Sequence, residues 1–163
     1  MKNCKGFSLL ELLVAATIVG ALAVLATVSY QNSVMETRIQ AAKSRTEVLA
    51  GAVQRFRVDR GAGQLGSGLV FSRATGSCSP NSSSVASLIL CGYVDTDGGW
   101  SDPYVQYYVC NGQKTASTPC ARTDLAAPLA CMTGKNVDKL PAKYKTNYAY
   151  CVSEIGTNEK TGS

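Results

Sequence analysis

The 163-residue chain contains no histidine. That absence removes Ser-His-Asp triads, Cys-His dyads and histidine-based zinc sites together. Proline is missing from Phe7 through Asp59, so nothing there forces a helix to break. Charge is scarce at the start, where Glu11 is the sole charged side chain between Phe7 and Tyr30. No C-x-x-C pair occurs, which argues against a zinc ribbon or a thioredoxin-type motif. Basic excess is modest: the formal charge of +5 drops to +3 once Lys2 and Lys5 are set aside. Nucleic-acid-binding domains instead gather Lys and Arg on one face or stripe. No internal repeat and no catalytic constellation remain, and the chain reads as non-enzymatic.

What is present begins with an apolar run, "FSLLELLVAATIVGALAVLATVSY", over residues 7–30. At about 1.5 Å per residue a helix over this run is about 36 Å long, enough for a hydrocarbon core of about 30 Å. Lys2 and Lys5 precede it, so the positive-inside bias keeps residues 1–6 in the cytoplasm, and Tyr30 suits the far interface. A cleaved secretory signal ending at "ALA", residues 21–23, is the plainer reading. Two features oppose it. An acid inside the run costs about 2.5–3.5 kcal/mol at a helix centre on insertion scales, and the helical pattern continues beyond it. Met35, Ile39, Ala42, Thr46, Leu49, Val53 and Phe56 follow in steps of four and three, one stripe of a helix. Lys43 and Glu47 stand four apart and are placed to pair across one turn. The expectation is one helix from about Phe7 to Asp59, ended by the glycine-rich "GAGQLGSG" at 61–68 and docked by its stripe on the rest of the chain.

Cysteine usage sharpens the division. Of the seven cysteines, Cys4 lies before the apolar run, and Cys78, Cys91, Cys110, Cys120, Cys131 and Cys151 lie far after it. An even set outside the cytoplasm reads as disulfides rather than metal ligands, with a pairing that sequence cannot rank. "SPNSSSVASLILCGYVD" predicts a turn, a serine-capped short helix over about Ser84–Leu90, and Gly92 to close it. "SDPYVQYYVC" and "KTNYAYCVSEI" are Tyr/Val-rich and predict strands, separated by Pro/Gly/Lys-rich loops. A long helix followed by strands implies an α+β fold with a small antiparallel sheet. Disulfides would staple a sheet too small to be robust alone.

At its start the chain resembles the type IV pilins and pseudopilins. "GFSLLELLVAATIVG" looks like their class III signal: a short basic leader ending in Gly6, Phe7 as the new N-terminus, and Glu11 fifth in the mature chain. The likeness covers about residues 5–31, including Gly20 and "SYQ" from Ser29 to Gln31. It implies cleavage between Gly6 and Phe7 and N-methylation of Phe7, both by a prepilin peptidase. It implies an assembly ATPase with its membrane platform, and a helical filament of this chain or other pilins. Glu11 would be an assembly contact, pairing with the N-terminus of the adjacent subunit. The implied organisation is a leader at 1–6, a transmembrane and filament-core helix at 7–30, its amphipathic continuation at 31–60, and a globular head at 61–163. The implied fold is pilin-like, with the helix lying across the sheet. The implied location is the inner membrane, crossed once, before assembly, and a surface or periplasmic filament after it. Val28 stands where many pilins carry proline, which speaks against a helix break there and leaves room for a minor pilin or pseudopilin. A membrane-anchored extracytoplasmic binding domain that never polymerises is the reading from another class.

"DTDGGWSD" at 95–102 offers Asp95, Asp97 and Asp102 as hard oxygen ligands for calcium, and major pseudopilins carry a calcium loop in this region. The same D-x-D-G suits an ordinary turn, which is the preferred reading, with no cofactor expected. Trp100 reads as a core or loop anchor. Asn81-Ser82-Ser83 fits the N-x-S/T pattern and carries no further weight.

Overall fold

The computed structural model describes residues 8–61, 65–70, 76–78, 85–96, 99–112, 119–122, 125–145 and 148–160. The chain divides into two compact units, Met1–Thr37 and Arg38–Ser163.

One helix, α1 (Leu9–Arg60), begins in the first unit and ends in the second. Ser8 starts it: its carbonyl accepts the N–H groups of Glu11 and Leu12. In the first unit, residues 8–27 are exposed throughout. Thr17 and Thr27 turn their hydroxyls onto the carbonyls of Val14 and Ala23, so neither needs an outside partner. The helix is long and apolar enough to cross a membrane, with a mean hydropathy of 2.5 over its most apolar window. Its C-terminal end has a backbone cause. Gly61 sits at φ 97°, where a side chain would be strained, and its N–H closes on the Arg57 carbonyl at 2.9 Å.

Within the second unit the stripe is the core. Ile39, Ala42, Thr46, Leu49, Val53 and Phe56 are all 0% exposed. The sheet beneath is a five-stranded antiparallel meander in chain order: β1 (Gly68–Leu69), β2 (Val105–Val109), β3 (Pro128–Gly134), β4 (Ala149–Ser153) and β5 (Gly156–Lys160). Along β2, Val105, Tyr107 and Val109 are buried while Gln106 and Tyr108 are half-buried. Two short helices, α2 (Ala86–Leu90) and α3 (Ala142–Lys145), lie in the connections.

Polar pairs tie α1 to the sheet. Lys43 Nζ reaches Glu159 Oε2 at 2.6 Å, Arg57 Nη1 reaches Glu154 Oε1 at 2.6 Å, and the Tyr150 hydroxyl donates to Glu47 Oε1 at 2.7 Å. Each partner on the sheet side comes from β4, β5 or the turn between them. This corrects the expected Lys43–Glu47 contact: both side chains are engaged across the interface, at partly buried positions where water and salt screen the contacts less than they would an exposed one-turn pair.

Two further expectations differ from the structure. The central strand β3 falls where loops were expected between the two Tyr/Val-rich segments. "PLACMTG" has a proline, two small residues and no alternation, because Pro128 to Met132 are buried on both faces. The short helix α2 starts at Ala86 with Val85 at its cap position and no side-chain cap bond, so it is held by tertiary burial of Ser87, Leu88 and Ile89. Ser84 lies outside the described residues. Gly92 closes α2 as expected, its N–H donating to the Ile89 carbonyl.

Candidate functional site

Glu11 stands in the first turn of α1, with exposed Leu9, Leu10, Leu12 and Leu13 around it. Its carboxylate has a local role that the sequence reading missed. The Ser8 backbone N–H donates to Glu11 Oε2 at 3.4 Å. Ser8-Leu9-Leu10-Glu11 is the S-x-x-E spacing of a capping box, in which the acid bonds back to the residue that starts the helix. That spacing was the available clue. An acid here also complements the positive end of the helix dipole. Ser8, Leu10, Glu11, Val14, Ala15 and Ile18 line a shallow hollow on this face of the helix. Gly20 adds an open spot on the helix, since a Cβ there would meet nothing within 4 Å. Gly6, Phe7 and Cys4 lie outside the described residues, as does the side chain of Val28.

The six downstream cysteines form three disulfides: Cys78–Cys91, Cys110–Cys120 and Cys131–Cys151. Sheet register explains the last, because Cys131 on β3 stands directly opposite Cys151 on β4. Cys110–Cys120 and Cys131–Cys151 are buried side by side, with the Cys110 and Cys131 sulfurs 3.5 Å apart. The sulfurs of Cys110, Cys120 and Cys131 lie within 4.8 Å of one another, yet all are spent on disulfides and leave no thiolate for a metal.

The "DTDGGWSD" loop packs against α1. Asp102 Oδ1 accepts the N–H groups of Tyr104 (2.7 Å) and Val105 (3.2 Å), a turn that leads into β2, while its Oδ2 faces Arg45 at 3.9 Å. The Trp100 indole donates to the Asp95 carbonyl at 2.8 Å and stacks edge-on against Tyr107. Asp97 lies outside the described residues. A carboxylate holding two N–H groups and facing a guanidinium suits the turn better than a cation. Gly99, at φ 71°, accepts a bond from Arg45, and a Cβ there would stand 2.7 Å from the guanidinium carbon.

Three tyrosines at this interface hold their protons tightly. Burial pushes Tyr150 up to about 12, reinforced by its bond to Glu47. Burial, then the Glu159 carboxylate, pushes Tyr148 higher still. Burial also raises Tyr107, against the opposing pull of Arg45. The Tyr150 hydroxyl donates to Glu47 and the Tyr148 hydroxyl to Glu159, whereas the Tyr107 hydroxyl is buried with no hydrogen-bond partner among the described residues.

The comparison with known families bears on the first of these regions. Residues 1–27 match the family model described as the prokaryotic N-terminal methylation motif, which is the type IV prepilin-type signal. No curated protein and no solved structure matches the chain. The motif supports a type IV pilin-like or pseudopilin precursor, a structural class of protein. Its apolar helix fits a membrane-anchored precursor. The long helix, the small antiparallel sheet and the disulfides form a pilin-like α+β fold.

Proposed function

We propose that this chain is a non-enzymatic structural subunit of a type IV pilus or related filament. It is cut between Gly6 and Phe7 and methylated on Phe7 by a prepilin peptidase. It then polymerises through α1, with an assembly ATPase and its platform as the machinery. No cofactor enters this function. The observation that carries the reading is the prepilin-type match over residues 1–27. The exposed apolar helix it overlaps supports it, because lipid covers such a surface before assembly and neighbouring helices cover it after. Glu11 is the assembly contact: in a filament core its carboxylate needs a cation, and the amine of a neighbour's Phe7 supplies one. Val28, where many pilins carry proline, leaves room for a minor pilin or pseudopilin among these subunits.

N-terminal sequencing of the cellular protein tests the processing step. A start at methylated Phe7 supports the proposal. A start at Met1 indicates an anchored binding domain, and a start at Val24 an ordinary secretory signal. Gly6→Leu should leave uncut precursor in the membrane, since the protease needs close approach to the backbone. Normal maturation of that variant would contradict the reading.

A further inference from the structure

The three disulfides differ in access and in charge. Cys110, Cys120, Cys131 and Cys151 are at most 1% exposed. Cys78 is exposed and Cys91 half-buried. Arg60, in the last turn of α1, donates from Nη2 to Cys78 Sγ at 3.5 Å. Its Nη1 is buried with no hydrogen-bond partner among the described residues, and Arg60 makes no ion pair there. The adjacent carboxylate, Asp59, is held by the Tyr93 hydroxyl at 2.9 Å. A guanidinium without a counter-ion among the described residues thus rests against one sulfur of an accessible disulfide.

We propose that Cys78–Cys91 is a thiol-exchange site, with Arg60 stabilising Cys78 as the leaving thiolate. An external thiolate attacks Cys91 Sγ, the Cys78–Cys91 bond breaks, and its electron pair leaves on Cys78, where Arg60 receives it. A mixed disulfide remains on Cys91. A second thiolate attacks the sulfur of the bound thiol, forming the oxidised external disulfide and releasing Cys91 as thiolate; two electrons pass from two thiols to the protein. The choice of sulfur follows from leaving-group chemistry, because the better-stabilised thiolate departs faster. A cation beside a sulfur is also what lowers a cysteine's pKa. The buried pairs are shielded from the same attack by access alone.

The test uses the full chain in detergent, with Cys4→Ser to remove a stray thiol, and β-mercaptoethanol, whose reacting thiolate carries no further charged group to steer toward Arg60. Timed quenching with N-ethylmaleimide and peptide mass mapping follow each bond. Cys78–Cys91 should open first, with the mercaptoethanol adduct on Cys91 and the alkylated thiol on Cys78. Arg60→Gln should slow opening about three- to tenfold while Arg60→Lys keeps it within about twofold of wild type. In the half-opened wild-type protein the Cys78 thiol should titrate below about 8.5, measured by its alkylation rate against pH. Opening of a buried pair first, an adduct chiefly on Cys78, or an unchanged rate in Arg60→Gln would each overturn the proposal. The wild-type mapping stands even if a variant misfolds.

Discussion

The two parts of α1 obey opposite rules on one helix. In the first unit, Leu9, Leu10, Leu12, Leu13 and Leu25 are all more than half exposed, and the most apolar window is 0% buried. In the second, each stripe residue from Ile39 to Phe56 is fully covered. Among the described residues of that unit, the exposed large apolar side chains are Val48, Val58 and Ile155. Apolar surface on the head has been hidden by folding, whereas apolar surface on residues 9–30 awaits lipid or another chain. Under the proposed function, stability and assembly are therefore written in different residues, and substitutions should separate them.

The largest expected effect breaks assembly and spares the head. Glu11→Ala removes the acid from the apolar segment, so insertion is at least as efficient. Incorporation into filaments should fall by more than about tenfold, because the neighbour's amine loses its partner. Membrane content and filament content, measured together by immunoblot, check this. Next in size is the reverse case. Leu49→Ala should cost the head about 2–5 kcal/mol through a core cavity, whereas Leu13→Ala should change head stability by less than about 0.5 kcal/mol. Urea melts of the full chain in detergent, followed by near-UV signals of the head tyrosines, distinguish them. Replacing Cys131 and Cys151 by serine should cost about 2–5 kcal/mol, read from the same melts.

Smaller effects sharpen the α1–head interface. Gly99→Ala strains a positive φ, for a loss of about 1–3 kcal/mol, while the Arg45 guanidinium at the end of its flexible side chain shifts aside. The pH dependence has a definite sign. With its proton held up to about 12 against about 10 when unfolded, Tyr150 contributes stability that is full below about 10. That contribution is lost as pH rises through the folded value, since the unfolded state gives up its proton first. Absorbance titration at alkaline pH, with free thiols blocked, should show native tyrosines ionising late. Tyr150→Phe should flatten the loss of stability above about pH 10.

How much was legible in sequence follows the same divide. α1 showed itself because proline is absent and the apolar spacing is regular over many turns. β2 and β4 showed themselves by Tyr and Val at alternate positions. β3 did not, because a strand buried on both faces has no alternation and its Pro, Ala and Gly carry no strand preference. β5, "GTNEK", is an exposed polar edge with nothing apolar to mark it. Cysteine pairing depended on register: Cys131 meets Cys151 only once β3 exists. The partners of Lys43 and Glu47 were equally out of reach, since Glu159 and Tyr150 are distant in sequence. At Glu11 the gap was different, because S-x-x-E at 8–11 was readable and its capping role was passed over.

The most direct measurement of the central claim is photo-crosslinking in cells from a reactive residue placed at Leu13, which is 58% exposed on the apolar helix. If α1 is the polymerising element, irradiation should yield a ladder of multimers of this chain that collapses to monomer when Glu11→Ala is added. A chain that stays monomeric in its wild-type form, while correctly inserted and disulfide-bonded, would contradict assembly through this helix.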